Sequence, residues 1–484
     1  MGMTSALSNA LSGLTASARS ADVISSNISN ATTDGYGRRE LDLSSRVLGG
    51  EGSGVRIDGV TRVVDQVVIG DRRLADADLG AATTRSGFLQ RIEDVVGEPG
   101  TTGSLSDRIS GLDTAFIEAA SRPDSEPRLQ NVLRSAKGLA DHINTISREI
   151  QTQRTDADHS IARQVNQLNG ALKNIEQLNR AILTQNSSGR DASALMDQRQ
   201  QLVDQISAIV PMRAIPRDHG QIALISTGGA VLLDGRAAEI GFTRTSLITE
   251  DMTFSAGSLS GLTLNDNPVS TGENGIMSGG TLTATFEVRD KLGVTAQNDL
   301  DAVARDLIER FQDPSVDSSL ALLDAGLFTD AGAFFNPANE PGISTRLSVN
   351  ISVDPESGGA VWRLRDGIGA ATQGDVGNAS LLQSMSGALT RSQVPVSGNI
   401  TVASRSMSGL SSDYLSKIGA ARQSEDADIA FASTKVDMLK TQELQSGVDT
   451  DYEMQQLLLV EQSYASNARV MQTIDELIQT LLRI

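Results

Sequence analysis

Ser25-Ser26-Asn27-Ile28-Ser29-Asn30-Ala31-Thr32-Thr33-Asp34-Gly35-Tyr36-Gly37-Arg38-Arg39 closes the first helical pattern of the chain and turns it elsewhere. Upstream, Leu7, Leu11, Leu14, Ala18, Ala21, Ser25 and Ile28 recur at alternating intervals of four and three, the spacing of a coiled-coil seam that only Ser25 breaks. The asparagines and glycines of the quoted stretch can end that helix and pass the backbone through left-handed angles, while Tyr36 can anchor the turn by packing. Between Met3 and Thr33 only Arg19 and Asp22 are charged. An exposed helix normally carries charge on its outer face, so this one is expected to have neighbours on several sides.

The far end of the chain has a matching pattern. Leu457, Val460, Tyr464, Asn467, Met471, Ile474, Ile478 and Leu481 again alternate by three and four, with Asn467 the one amide among them. A buried Asn can set register in such a seam, and an Asn at its edge simply faces the medium. Thr450 followed by Glu453 reads as a capping box that starts the helix near Asp451. Both ends are therefore expected to be amphipathic helices, paired as a coiled coil.

Between them, Leu129, Val132, Ala136, Leu139, Ile143, Ile146 and Ile150 keep helical spacing, and Ile161, Val165, Leu168, Leu172 and Ile175 resume it after a polar interval. Asp124, Ser125 and Pro127 supply a start signal, and Ser187-Ser188-Gly189 a stop. A shorter amphipathic stretch with Leu195, Leu202, Val203, Ile206 and Ile209 runs to Pro211. Gln221 to Leu233 then reads as two short strands around Thr227-Gly228-Gly229, in a region rich in Gly, Ser, Thr and Asn as far as Gly280. Leu300, Ala304, Leu307 and Phe311 are helical, Leu347 to Val353 and Val361 to Leu364 look like strands, and Ser411 to Gln445 looks helical.

The reading is an α+β chain, predominantly α, shaped as an elongated hairpin. Residues 1–70 with 411–484 make a terminal helical domain, 71–214 with 290–410 a mainly helical second domain with some strands, and 215–289 a small outer β-rich domain at the far tip.

Composition narrows the function classes. With 60 acidic against 41 basic residues, the net charge of -19 repels a phosphate backbone, so nucleic acid is not an expected partner. The chain has no cysteine, hence no disulfide framework and no thiolate metal site. Aromatics make up only 3%, which suits helix seams better than a large ligand pocket. No apolar run is long enough to span a bilayer, and the start lacks the pattern of a cleaved signal peptide, so no membrane insertion is expected. His142, His159 and His219 form no zinc motif, and Gly97-Glu98-Pro99-Gly100 lacks the lysine of a phosphate cradle. No catalytic, cofactor-binding or metal-binding constellation is found. Asp197-Gln198-Arg199 reads as a solvated helix turn with local ion pairing in preference to a functional charge cluster.

The quoted stretch resembles the N-terminal signature shared by flagellar rod, hook and hook-associated proteins, with Ser29 where Ala is usual and Ser12-Gly13-Leu14 matching the preceding helix. Ser446-Gly447-Val448-Asp449, Glu453-Met454, Gln462-Ser463-Tyr464, Ala468-Arg469-Val470 and Thr473-Ile474-Asp475-Glu476-Leu477 are similar to the tail of the same proteins. The long helices from Pro127 to Ile182, with Leu195-Met196-Asp197-Gln198-Arg199 and Leu202-Val203, resemble the helical domain of the hook-associated junction family. Arg38 and Arg39 also fit that family, since hook proteins more often place Phe and Lys there.

The resemblance implies a non-enzymatic axial component, exported through the flagellar secretion apparatus with a dedicated chaperone recognising Leu457 to Val460. It implies polymerisation with itself between hook protein and the next hook-associated protein, outside the cell. A hook or distal rod protein is the nearest alternative, and a secreted coiled-coil effector or adhesin a more distant one. The assembly candidates are Leu7, Leu11, Leu14, Asn27, Ile28, Asn30, Gly35 and Tyr36 at one end, and the eight C-terminal seam residues at the other. One seam alone does not offset the entropy of ordering about thirty residues, so these ends are expected to become ordered within a polymer.

Overall fold

The computed structural model describes residues 2–48, 51–272 and 274–482; residues 1, 49, 50, 483 and 484 of the expected terminal domain and residue 273 of the expected β-rich domain lie outside the described residues. Helix α1 (Met3–Ser29) leads into a two-stranded antiparallel ribbon, β1 (Arg38–Leu48) and β2 (Glu51–Val63). Four helices follow: α2 (Gln66–Val96), α3 (Leu105–Ser121), α4 (Glu126–Ser187) and α5 (Ser193–Ser207). Strands β3 (Met212–Pro216), β4 (Ile222–Ser226), β5 (Val231–Asp234) and β6 (Arg236–Ala237) form one antiparallel sheet in that order. A second sheet holds β7 (Ile240–Gly241), β8 (Leu262–Leu264) and β9 (Asn267–Val269). Helix α6 (Gly280–Glu287) passes through a π-helical turn, Val288–Leu292, into α7 (Gly293–Phe311). Then come β10 (Phe328–Asp330), α8 (Ile343–Arg346), β11 (Leu347–Val349), α9 (Arg363–Asp366), α10 (Ser380–Thr390), α11 (Met407–Gln445) and α12 (Thr450–Leu482). The chain is α+β and predominantly α.

Helix α4 is the spine. Its 62 residues make a rod of about 93 Å at the α-helical rise. Leu129, Val132, Ala136, Leu139, Ile143, Ile146 and Ile150 enter a large core shared with α3, α7, α10 and the first turns of α11. Ile161, Val165, Leu168, Leu172 and Ile175 enter a second core with α5 and the sheets. The polar interval between these runs does not break the helix; it is a buried polar joint. Asp158 and Arg289 pair at 2.6 Å with both side chains fully buried, and Arg154 donates to the carbonyls of Arg289 and Thr249 at 2.9 and 3.2 Å. Thr155 Oγ1 accepts from the Ile248 N–H at 3.1 Å. The interval is polar because the loop between β7 and β8 brings backbone groups here that need partners away from water.

A second spine runs antiparallel. Helices α2 and α11 are tied by Arg72–Glu443 at 2.6 Å, Arg85–Glu425 at 2.9 Å and Arg422–Glu93 at 2.5 Å. They reach from the large core into a small one of Val68, Ala75, Val436 and Leu439. Asp65 starts α2 by accepting from the N–H groups of Val67 and Val68, and Gly97, at φ 79°, ends it.

Several expectations are corrected. Residues 38–63 of the expected helical terminal domain are a β ribbon, and the borders drawn after 70, 214, 289 and 410 fall inside α2, β3, the π-helical turn and α11. The β-rich segment does not form a far tip. Its sheets pack on the C-terminal half of α4 and on α5, which folds back along α4 (Arg199 Nη1 to Asn179 Oδ1, 2.8 Å) and also meets the turn after α1 (Gln201 Nε2 to the Asp34 carbonyl, 2.6 Å). Val361 to Leu364 is not a strand: Leu364 lies in the one-turn helix α9, where it and Val361, three residues apart, enter the large core from one side. Of the expected strand from Leu347, only Leu347–Val349 pairs; the Asn350 side chain caps the 3-10 turn Ile351–Val353 instead.

Replacing Asp158→Ala leaves Arg289 fully buried without its 2.6 Å partner. Asp290 still pairs with the same guanidinium at 2.8 Å, so the variant is expected to lose about 1–3 kcal/mol of stability, read by denaturant unfolding of the full chain.

Candidate assembly site

The two ends of the chain meet at Asn27, which is 1% exposed although its side chain is an amide. Its Nδ2 donates to the Arg39 carbonyl at 2.9 Å and to Glu453 Oε1 at 3.1 Å, and its Oδ1 accepts from the Arg39 N–H at 3.0 Å and from the Tyr36 hydroxyl at 2.9 Å. An amide offers two donors and two acceptor sites, so Asn27 is filled. One side chain thus bonds the end of α1 to the turn after it, to the start of β1 and to α12. Tyr36 shares a further hydrogen bond with the Ser26 hydroxyl at 3.3 Å, and the Arg39 guanidinium lies 4.9 Å from its ring centre.

Glu453 is 3% exposed, and Arg38 stands 3.8 Å from it. Since Glu453 faces Asn27, it does not close a capping box with Thr450. Asp449 caps α12 instead, accepting from the N–H groups of Asp451 and Tyr452 at 3.0 and 3.1 Å.

The turn itself is seated on α5. Asp197 accepts from the Gly37 N–H at 3.0 Å, Arg39 Nη2 at 3.0 Å and Arg62 Nε at 2.6 Å. Gln200 Oε1 accepts from Arg62 Nη2 at 2.6 Å. Gly35 adopts φ 75°, and a Cβ there would lie 2.8 Å from Gln201 Cγ, so both conformation and space require glycine. The solvated-turn reading of Asp197-Gln198-Arg199 is therefore overturned. Arg199 is buried as well, bonded to Asn179 and to the Gly220 carbonyl, and burial together with the cations of Arg62 and Arg73 brings its pKa down to about 10.

Helices α1 and α12 pair along their length, but α1 uses another face than the expected seam. Ala10, Gly13, Ser17, Ser20, Ile24 and Asn27 also alternate by three and four, and this stripe, small at its first four positions, is the packed one. A Cβ on Gly13 would stand 2.7 Å from the Asn467 side-chain nitrogen, and Ser17 and Ser463 hydroxyls meet at 3.5 Å. Leu7 and Leu11 are exposed, at 36% and 55%, as are Ala18 and Ser25; Leu14, Ile28, Asn30, Gly35 and Tyr36 are half-buried. On α12 the expected stripe does turn inward: Ile474 is buried and Leu457, Val460, Asn467, Met471 and Ile478 are half-buried, whereas Tyr464 and Leu481 stay exposed. Small side chains on α1 allow close approach of the larger ones on α12, and α1's leucines are left facing outward. Met454, Leu458, Leu459, Val470 and Leu477 of α12 are exposed too.

Glu453, Asp197, Arg62, Gln200 and Gln201 complete this site without any signal in sequence spacing. Arg38 and Arg39 entered the sequence reading only through their resemblance to the hook-associated junction family. Among the described residues no group of three or more His, Cys, Asp or Glu side chains is placed to hold a metal, and no helix is long and apolar enough to cross a membrane.

Comparisons with known proteins match this division. Residues 89–314 match the model of the flagellar hook-associated protein FlgK helical domain. Residues 7–36 match the flagella basal body rod protein model and residues 444–484 the C-terminal model of the flagellar basal body rod FlgEFG proteins. Flagellar hook-associated protein 1 of Escherichia coli is 25% identical over an alignment of 552 positions that covers 100% of both chains. The chain is similar to the flagellar hook-associated protein 1 family. The Salmonella typhimurium member is 28% identical over 243 residues, 49% of this chain and 44% of that protein, and the Bacillus subtilis member 25% identical over 240 residues, 47% of each. In these two alignments the chain spans under half of its relative's length. The solved flagellar hook junction protein FlgK from Burkholderia pseudomallei superposes with a TM-score of 0.43 at 18% identity, over 54% of this chain and 47% of that one. The family is one of flagellar structural proteins.

Asn27→Ala removes four hydrogen bonds and strands the Glu453 carboxylate in a buried position. It is expected to cost about 2–3 kcal/mol. In hydrogen exchange of the full chain, amide protection of α12 near Glu453 should fall with that of the α1 C-terminus, while α4 is unchanged.

Proposed function

We propose that this chain is the structural subunit joining hook to filament, polymerising through its terminal helices and carrying out no catalysis. The observation that carries the reading is the union, through Asn27 and Asp197, of rod-type ends with a helical domain of the hook-associated type. Rod-type ends alone would suit a hook or distal rod protein equally.

The exposed leucines support the polymerising role. Leu7 and Leu11, with half-buried Leu14, make an apolar stripe on a helix whose other face is already taken by α12. Covering such a stripe removes it from water, and neighbouring subunits are the partners that a helical lattice supplies. Those contacts are heterologous, as head-to-tail assembly requires. In this reading the subunit forms a short zone with hook protein on one side and the next hook-associated protein on the other. It leaves the cell through the flagellar export apparatus, with a chaperone holding the region from Leu457 to Val460.

Deleting the coding sequence tests the role. Complete hooks, no filaments and flagellin lost to the medium are the expected outcome; absent hooks would assign a rod or hook component, and normal filaments would refute the proposal. Leu11→Asp puts a charge in the outward stripe and is expected to leave the monomer's circular dichroism unchanged while failing to restore filaments to the deletion strain.

A further inference from the structure

The terminal unit of α1, the β ribbon and α12 is tethered to the body by two short covalent links, Val64-Asp65 before α2 and Ser446-Gly447-Val448-Asp449 after α11. Links of that length hold the unit close without fixing its direction. Within the ribbon, the register places Arg39 directly opposite Arg62. Like charges facing each other across a strand pair repel, so the ribbon by itself carries an unresolved conflict at its root.

The conflict is resolved from outside. Asp197 of α5 accepts from Arg39 at 3.0 Å and Arg62 at 2.6 Å, and its third hydrogen bond takes up the Gly37 N–H at 3.0 Å. Arg62 is 8% exposed at its side chain and Asp197 12%, so the group is shielded from water and salt. On its other side α5 is fixed to the body: Arg199 bonds Asn179 of α4 at 2.8 Å and the Gly220 carbonyl beside β4 at 2.7 Å. The bonds also cross a family boundary, because Asp197 lies inside the helical-domain match, whereas Arg39 lies just beyond the rod-type match that ends at residue 36 and Arg62 on the strand paired with it.

We propose that Asp197 is a positioning residue: it fixes the direction in which the terminal helix pair leaves the helical body, and so adapts an end shared with rod proteins to this particular domain. A carboxylate is needed because it alone can accept from both guanidinium groups and a backbone N–H while balancing charge. The consequence for assembly rests on the proposed function. The geometry of the joint does not, and it can be measured in the free chain.

With no native cysteine, spin labels can be placed at single sites. Labels at Glu461→Cys on α12 and Lys173→Cys on α4, both exposed, report the joint in the full-length protein by pulsed electron resonance. Labels at Thr15→Cys and Gln462→Cys report the α1–α12 pair alone. One narrow distance across the joint is expected in the parent chain. Asp197→Ala should broaden and shift it, Asp197→Glu should restore part of the narrow population, and the α1–α12 distance should stay narrow throughout. A joint distance unchanged in Asp197→Ala overturns the proposal, as does one already broad in the parent. Should Asp197→Ala lose the helical signal of the body, Arg39→Leu with Arg62→Leu removes two of the three bonds from the terminal side and leaves that of the Gly37 N–H; broadening there supports the proposal and a narrow distance overturns it. A failure here leaves the deletion phenotype untouched, so the two readings stand or fall separately.

Discussion

Asn27 is one amide buried among the turn, the ribbon and the C-terminal helix, and the architecture of the chain's ends depends on its being fully bonded. Left unsatisfied, that amide would oppose the fold at the point where the first and last helices meet. Satisfied, it fixes where α1 stops, how Tyr36 packs, where β1 begins and which residue of α12 lies opposite. Glu453 is held there by the same bonds, with Arg38 nearby to balance its charge. The two terminal signatures, read separately as motifs, are two halves of one hydrogen-bonded knot.

From that knot the structure builds outward through charged joints inside an otherwise aliphatic interior. Asp197 binds the turn to α5, Arg199 binds α5 to α4 and the first sheet, and Asp158 with Arg289 joins the two cores along α4. Buried ion pairs contribute little net stability against well-packed apolar residues, but breaking one is costly and each admits few geometries. Such joints suit an elongated body that must hold its shape while bearing load. The overall charge of -19 leaves the surface acidic, while Arg199 and Arg289 of these joints lie buried.

Most long periodic elements were legible in the sequence from helix periodicity, although α2 and α3 were not read there. The termini, both apolar runs of α4, α5 with its stop at Pro211, β4, β5, α7 and most of α11 follow from spacing and punctuation. The face of α1 did not. Two heptad registers coexist there, one of leucines and one of Ala, Gly, Ser and Asn, and a rule that weighs side-chain size chooses the leucines. The structure gives the intramolecular seam to the small residues, since close approach needs a Gly13 under Asn467, and turns the leucines outward. The burial of Arg154 and Asp158 in the polar interval of α4 was likewise unreadable, because it depends on partners more than eighty residues along. Asp197 was unreadable for the same reason: its donors lie more than a hundred residues upstream.

In the proposed assembly α1 has two jobs, its small face closing on α12 of the same chain and its leucine face left for neighbours. Cysteine cross-linking in assembled flagella tests this most directly. In a Ser17→Cys/Ser463→Cys chain, oxidation should yield a disulfide within one subunit, seen as a shifted monomer band, whereas Leu11→Cys paired with Leu458→Cys should link subunits into ladders. Ladders from the Ser17 and Ser463 pair, with no shifted monomer, would contradict the account.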